Sequence, residues 1–297
     1  MLNEQSNTQR TLEVSIKAFL IDRQAGGLAK RSISFYALNL KLFTSYCDSK
    51  GIKIIDNISP DLLRRYIMML QETHNMGGVH AAFRTLRVFF NWLAFEDVMP
   101  PEWKNPIKKV KSPRNVLPPL EPVALDDINS LLAVSNERDT SIFLFLLDSG
   151  VRAGELININ LEDIDFSIGA VVIKRGKGGK QRVIFIGKRV KRALRAYLRQ
   201  RKDTSPALFT TCDGYRLTYS GLHEVLMRRM KDADLKEVTL HGFRRAFALG
   251  MLRGGADIFA LQRLMGHSDL SVLRRYLAQD DTDSRLAHEK ASPVEGL

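Results

Sequence analysis

Prolines divide the chain into two parts. Seven of the ten prolines in this 297-residue chain fall between Pro100 and Pro122. Proline fixes φ and has no backbone N–H to donate, so this density prevents a continuous helix and stiffens an extended connection. We therefore predict two domains, residues 11–111 and 123–297, joined by a proline-rich linker at residues 112–122. Basic residues accompany the prolines: Lys104, Lys108, Lys109, Lys111 and Arg114.

The part before the linker has the pattern of a small helical bundle. Apolar residues recur at helical spacing in four stretches between Thr11 and Glu96. Gly26-Gly27 is predicted to stop the first helix and Ser32 to cap the second. Ser59-Pro60 has a capping residue followed by proline at the first helical position, and Gly77-Gly78 is predicted to break the third helix from the fourth.

The part after the linker is predicted to be mostly helical with a small antiparallel sheet. A helix opens at Leu125, and residues 140–147 form a strongly apolar, buried helix. β-branched runs at residues 170–174 and 182–186 flank a glycine-rich turn, which indicates a hairpin with a longer loop. A third short strand is predicted at residues 206–211. Further helices are predicted at residues 188–202, 219–231, 243–252, 258–265 and 270–278.

The charge of the chain favours a polyanionic partner. The net charge is +12 and the pI is near 9.8, and both halves are basic. Residues 167–202 carry 13 Lys and Arg and no acidic residue. Such a run is either a solvated face or a surface that follows a phosphate backbone. Charge alone does not distinguish DNA, RNA and a membrane surface.

Several protein classes are disfavoured by composition. No run of about 18 apolar residues is present, so no membrane span is expected. Residues 1–10 are polar, which argues against a secretory signal and predicts disorder. Cys47 and Cys212 lie far apart without metal-ligand spacing, which suits a reducing cytoplasm. We therefore expect a cytoplasmic protein.

The stretch from Leu240 to Tyr276 gathers side chains that suit chemistry on a phosphodiester. Arginine grips phosphate oxygens, histidine moves protons near neutral pH, and tyrosine can act as an oxyanion nucleophile. Free tyrosine has a pKa near ~10, so its attack needs nearby cations. Arg152 and Lys177, both upstream, are the candidates. Near His241 and His267 there is no cysteine or histidine set that would complete a zinc site.

These residues resemble the motif of the tyrosine recombinases, the phage-integrase and Xer-type family. That motif has an arginine in a Gly-x-Arg-x-x-Glu-Leu turn, a hairpin lysine, His-x-x-Arg, a histidine after Leu-Gly or Met-Gly, and a tyrosine nine residues later. The six positions are occupied in order by Arg152, Lys177, His241, Arg244, His267 and Tyr276. The resemblance covers nearly the whole chain. Gly242 departs from it by leaving the second position of His-x-x-Arg without a side chain.

The resemblance implies an architecture and a set of partners. The first domain would be the four-helix, SAM-like core-binding domain, and the second the α+β catalytic domain with its C-terminal tail. The two would close as a C-shaped clamp on double-stranded DNA. Four protomers on two DNA sites would exchange strands through a Holliday junction, without ATP, metal or another cofactor. A helper protein is a possible further partner, and the tail would pack on a neighbouring protomer.

The resemblance also implies residue roles. Arg152 and Arg244 would clamp the scissile phosphate, His241 and His267 would hydrogen-bond it, and Tyr276 would attack. Lys177 would protonate the departing 5′ oxygen, and Glu155 would orient Arg152. Predicted DNA contacts are Lys108, Lys109, Lys111, Arg175, Lys180, Arg182, Arg245 and Arg275.

Two other functions remain open from the sequence. One is a catalytically silent DNA-binding regulator on the same fold, which would be expected to have lost one of the six motif residues. The other is a topoisomerase-like enzyme that relaxes DNA without pairing sites. The DNA target, and the choice between moving a mobile element and resolving multimers, are not predicted.

Overall fold

The computed structural model describes residues 11–96, 99–114, 121–174, 181–266 and 292. The chain divides into two compact units, Met1–Pro118 and Pro119–Leu297. The division falls inside the stretch predicted to be the linker. In the described part of the chain, no helix combines the length and the apolar character needed to cross a membrane.

The described part of the first unit contains four α-helices. They are α1 (Leu12–Ala25), α2 (Lys30–Ser49), α3 (Pro60–Thr73) and α4 (Met76–Phe95). As predicted, Gly26 ends α1, and the Ser59 hydroxyl caps α3 by accepting from Leu62 N at 3.1 Å. Two predicted boundaries are wrong. Helix α2 begins two residues before Ser32, with no side-chain cap. Gly77-Gly78 lies in the first turn of α4, because the Asn75 side chain accepts from Gly78 N at 2.8 Å and starts the helix there.

The first unit has an aromatic core, and the segment that precedes the linker is hydrogen-bonded to it. Phe19, Phe43, Phe89 and Phe90 are fully buried. Asn105 donates from Nδ2 to the Phe90 carbonyl at 3.0 Å. Asn105 also caps a 3-10 turn, Pro106–Lys109. The exposed lysines 108 and 109 are therefore carried by a turn tied to the core.

The second unit contains seven described helices and a three-stranded antiparallel sheet. The helices are α5 (Leu125–Ala133), α6 (Glu137–Ser149), α7 (Ala153–Leu156), α8 (Lys188–Gln200), α9 (Tyr219–Asp232), α10 (Leu240–Arg253) and α11 (Ile258–Met265). The strands are β1 (Ile164–Asp165), β2 (Ala170–Ile173) and β3 (Arg182–Phe185), in that spatial order. A mainly α fold with a small antiparallel sheet is thus confirmed.

The third strand differs from the prediction. It is β1, which precedes the hairpin and is too short at two residues to show an alternating pattern. Residues 206–211 form only isolated bridges, Asn160 with Ala207 and Thr210 with Arg216. The helix predicted at residues 270–278 lies outside the described residues.

Helix α6 lies at the centre of the second core. Its residues Ile142, Phe143, Phe145 and Leu146 are fully buried, and it packs against α8 and α10. Phe143 stacks on Phe243 of α10, with ring centroids 5.6 Å apart. This packing places the start of α10 beside the end of α6, where the candidate site is built.

Candidate active site

The turn between α6 and Arg152 contains a glycine, Gly150, in the left-handed conformation. Gly150 has φ 58° and ψ 19°, and its N–H donates to the Leu146 carbonyl. A Cβ at this position would lie 2.1 Å from a ring carbon of Phe247. Both the backbone conformation and the close approach therefore require glycine here. After the turn, Arg152 directly precedes α7.

The Glu155 carboxylate binds both the backbone N–H and the guanidinium of Arg152. Arg152 N donates to Glu155 Oε2 and Arg152 Nη1 to Oε1, each at 3.0 Å. Arg152 Nη2 also donates to the Gly266 carbonyl at 3.3 Å. The Arg152 side chain keeps 27% of its surface exposed, against 6% for Glu155. Glu155 thus contacts the Arg152 guanidinium and leaves it within reach of solvent.

The Arg182 guanidinium pairs with the Glu155 carboxylate, a contact that the sequence did not predict. Its Nη1 and Nη2 donate to Glu155 Oε1 and Oε2 at 2.9 and 2.7 Å. Its Nε donates to the Leu264 carbonyl at 2.9 Å. Only 11% of the Arg182 side chain is exposed. Its guanidinium is therefore directed into the protein, unlike the DNA contact expected from the sequence.

The Glu155 carboxyl has a strongly shifted pKa. Burial raises its pKa, but the hydrogen bonds from Arg182 and Arg152 and their positive charges outweigh burial and lower it to about 2. Glu155 is therefore ionised at neutral pH, with two arginines sharing one carboxylate.

Arg244 is buried and fixed by main-chain oxygens. It is 2% exposed, on the second turn of α10. Its Nη1 donates to the Gly150 carbonyl and its Nη2 to the Met265 carbonyl, the latter at 2.6 Å. Arg244 thus links α10 to the turn before Arg152 and to the end of α11.

His241 lies one helical turn before Arg244, near the start of α10. Its pKa is lowered from the usual value of 6.5, first by loss of hydration and then by the positive charges of Arg245, Arg244 and Arg152. The imidazole is therefore predominantly neutral at pH 7. In this form one ring nitrogen donates and the other accepts.

Gly242 has a packing reason for its missing side chain. A Cβ on Gly242 would lie 2.7 Å from Val123 Cγ2. Val123 N donates to the Gly242 carbonyl at 3.3 Å. The chain entering the second unit therefore occupies the space that a side chain would need.

Three consecutive carbonyls at the end of α11 receive the three arginines. Gly266 ends this helix in the left-handed conformation, with φ 61° and ψ 44°. We call the carbonyls of Leu264, Met265 and Gly266 the carbonyl row. Their donors are, in order, Arg182, Arg244 and Arg152. The C-terminal end of a helix carries unsatisfied carbonyls and partial negative charge, so it is a favourable place to anchor guanidiniums.

The predicted site is described in part. The structure brings together Arg152, Arg244 and Glu155, and places His241 one turn from Arg244. Six predicted site residues lie outside the described residues: Lys177, His267, Tyr276, Arg175, Lys180 and Arg275. In the sequence, Arg182 on β3 follows Lys177 by five residues, and Gly266, at the end of α11, directly precedes His267.

The remaining predicted DNA contacts have different surroundings. Lys108, Lys109 and Lys111 are exposed, as contact with phosphate requires. Arg245 is half-buried, and its Nη1 donates to the Glu121 carbonyl at 3.3 Å. Arg245 therefore also holds the entering chain against α10.

Solved structures that share this fold include DNA recombinases. The XerH site-specific recombinase bound to palindromic difH substrate aligns over 92% of this chain and 82% of its own, with a TM-score of 0.71 and 20% identity. The Tn1549 transposon integrase in complex with a circular intermediate DNA covers 93% of this chain and 99% of its own, with a TM-score of 0.75 and 19% identity. The fold is thus that of the tyrosine recombinases.

Sequence comparison gives the family. The model of the phage integrase family matches residues 122–283. The tyrosine recombinase XerC of Myxococcus xanthus is 30% identical over 248 residues, which cover 78% of this chain and 81% of the relative. The tyrosine recombinase XerD of Listeria monocytogenes is 28% identical over 248 residues, 78% of this chain and 82% of the relative. The chain belongs to the phage integrase family of tyrosine recombinases.

Proposed function

We propose that this protein is a site-specific DNA recombinase that cuts and rejoins DNA through Tyr276. The observation that carries the proposal is the convergence of Arg152 and Arg244 on adjacent carbonyls at the end of α11, those of Gly266 and Met265, directly before His267 in the sequence. Two guanidiniums held together in this way form a natural receptor for one phosphodiester. Its partner would be double-stranded DNA.

The anchored arginines support catalysis by preorganisation. Arg244 is fixed by two main-chain oxygens and Arg152 by Glu155, so little reorganisation is needed when charge develops on phosphorus. Groups oriented in advance towards the transition state contribute more than mobile ones. Arg152, which reaches solvent, would meet the phosphate first, and Arg244 would bind it from the buried side.

The covalent step exchanges one phosphate ester for another, so the energy of the broken bond is retained. The Tyr276 oxygen forms a bond to phosphorus while the bond to the 5′ oxygen breaks, leaving a 3′-phosphotyrosine and a free 5′-hydroxyl. Lys177 protonates the departing oxygen, and the histidines bind the phosphate and move protons. A neutral His241 suits both phosphate binding and proton transfer, because one ring nitrogen can donate a hydrogen bond and the other can accept a proton. The reverse reaction joins a new strand without ATP or a metal.

The proposal extends to assembly and location. Residues 11–111 would bind the core site, assisted by the exposed lysines 108, 109 and 111. Four protomers on two DNA sites would exchange strands through a Holliday junction in the cytoplasm, with the C-terminal tail of each packed on a neighbour and, in some settings, a helper protein. A silent regulator is disfavoured because the described motif residues Arg152, His241 and Arg244 are all present. Relaxation of plasmid lacking a recombination site would instead support the topoisomerase-like alternative.

The nucleophile is tested by trapping the covalent intermediate. A duplex selected by binding from a randomised pool is nicked near its centre, so that cleavage releases a short fragment and cannot reverse. We expect a covalent protein–DNA band on a denaturing gel that Tyr276→Phe abolishes. Tyr215→Phe is the matched control, because Tyr215 is 75% exposed and lies outside the motif. If bound wild-type protein gives no band, or if Tyr276→Phe retains it, the proposal is wrong.

A further inference from the structure

The Glu155 carboxylate accepts more hydrogen bonds from the guanidinium of Arg182 than from that of Arg152. Arg182 donates to both carboxylate oxygens, at 2.9 and 2.7 Å. The guanidinium of Arg152 donates only to Oε1, at 3.0 Å, while Oε2 accepts the Arg152 backbone N–H. Arg182 therefore holds the bidentate position that would otherwise be open to the Arg152 guanidinium.

We infer that Arg182 is a positioning residue for strand cleavage: by occupying both oxygens of Glu155, it keeps the Arg152 guanidinium from closing onto that carboxylate and leaves it directed at the DNA phosphate. The inference rests on the proposed function. A bidentate arginine–carboxylate pair is strong and geometrically specific, so an unshared Glu155 would compete with a phosphate for Arg152.

The other contacts of Arg182 place it between the catalytic elements. Its Nε donates to Leu264, the first carbonyl of the carbonyl row. Its Nη1 would lie 3.0 Å from a Cβ at Gly266. Arg182 is also the first residue of β3, the strand that follows the segment carrying Lys177. One side chain thus connects the hairpin, Glu155 and the end of α11.

Charge balance distinguishes this role from an ordinary buried ion pair. One carboxylate lies between two guanidiniums, and both Glu155 and Arg182 are nearly buried, with 6% and 11% of their side chains exposed. If Arg182 is removed, the carboxylate retains its charge and Arg152 is its remaining guanidinium partner among the contacts described here. Removing the charge of Glu155 as well should then release Arg152. A purely structural role predicts no such recovery, because the second substitution removes a further contact.

The test is a double-mutant cycle measured by single-turnover cleavage of the nicked duplex. The variants are Arg182→Met, Glu155→Gln and the double variant, with DNA affinity and thermal unfolding measured in parallel. For Arg182→Met we expect a cleavage rate reduced by about 10- to 100-fold, because a misdirected Arg152 stabilises the transition state less, with DNA affinity nearly unchanged. The double variant should cleave about tenfold faster than Arg182→Met, a rate ratio that corresponds to roughly 1.4 kcal/mol of recovered activation free energy.

A second variant keeps the test decisive if Arg182→Met does not fold. Arg182→Lys retains the charge but cannot hold both oxygens with one planar fork. It should cleave slowly and be rescued by Glu155→Gln in the same way. The inference is overturned if wild-type protein cleaves and the Arg182 variants cleave equally well, or if the double variants are slower than the singles. If wild-type protein forms no covalent complex with DNA that it binds, the proposed function fails as well.

Discussion

Among single residues, Glu155 makes the stability of the fold depend on pH. Its pKa is about 2 in the folded protein and 4.5 ordinarily. A lowered carboxyl pKa stabilises the folded state fully above about pH 4.5, and this contribution is lost as the pH falls towards 2. The difference corresponds to roughly 3 kcal/mol, as an order of magnitude.

Acid unfolding of Glu155→Gln should reveal this contribution. Relative to wild type, the variant should be less stable near pH 7, and the gap should narrow between pH 4.5 and 2, because only the wild type loses the charged form. Chemical denaturation across this range gives the free energy of unfolding. Glu72→Gln, at an exposed carboxyl, is the matched control and should run parallel to wild type. A constant gap between Glu155→Gln and wild type would contradict the assignment.

Of the two arginine partners of Glu155, one could be predicted from the sequence and the other could not. Contact between Arg152 and Glu155 follows from a spacing of three residues and could be predicted. The contact of Glu155 with Arg182 spans 27 positions and depends on how the hairpin packs against α7 and α11. In the sequence Arg182 is one basic residue in a basic run, and no local pattern distinguishes it from its neighbours.

At the scale of elements, the approach of the entering chain to α10 decides what residue 242 can be. Alanine favours a helix over glycine by about 1 kcal/mol, but at Gly242 its Cβ would lie 2.7 Å from Val123 Cγ2. Local propensity and tertiary packing therefore act in opposite directions at this position.

Substitutions of two glycines in the same helix should separate these effects. Gly242→Ala should lower the free energy of unfolding by about 1 to 3 kcal/mol, the usual cost of overpacking. Gly250→Ala, where a Cβ would meet nothing within 4 Å, should raise it by up to about 1 kcal/mol. Adding Val123→Ala should relieve Gly242→Ala, because the clashing methyl group is removed. Thermal and denaturant unfolding measure all three, and equal effects at both glycines would contradict the packing explanation.

Element boundaries were predictable where a cap was local. The Ser59-Pro60 start of α3 has its signal in the adjacent sequence and was predicted correctly, as was the end of α11 at residue 265. Gly77-Gly78 was taken as a break because glycine is a poor helix former, but the Asn75 cap and the buried face of α4 outweigh that preference. Strand β1 has only two residues and forms because β2 offers it a pairing edge.

For the whole molecule, the two units have separate cores. The buried apolar cluster of the first unit runs from Leu12 to Val110, and that of the second from Val123 to Phe243, with a smaller cluster around Phe247. No described residue belongs to both main clusters. Each unit is also long enough to bury a core of its own.

Each unit should therefore fold alone. We expect fragments 1–118 and 119–297 to show helical circular dichroism and to unfold cooperatively. Fragment 119–297 should bind DNA more weakly than the full chain, because the exposed lysines 108, 109 and 111 are absent. The matched comparison is a fragment beginning at residue 137, which lacks α5 and the Val123 contact and should unfold less cooperatively. A non-cooperative fragment 119–297 would contradict independent folding.

At this scale the fold class followed from the proline cluster, the helical periodicity and the β-branched hairpin. Site geometry depends on tertiary contacts and did not follow. The placements of Lys177, His267 and Tyr276 lie outside the described residues, so their roles stay proposals.

The carbonyl row gives the site a form of mutational robustness. Its acceptors are main-chain oxygens, and a substitution at Leu264 or Met265 changes a side chain without removing the oxygen that binds an arginine. Substitution at these two positions is thus limited by side-chain packing, while the hydrogen bonds from the arginines to the main-chain oxygens are kept. Substitutions act on this anchorage directly at the donor arginines and at Gly266, where the left-handed turn itself restricts the residue.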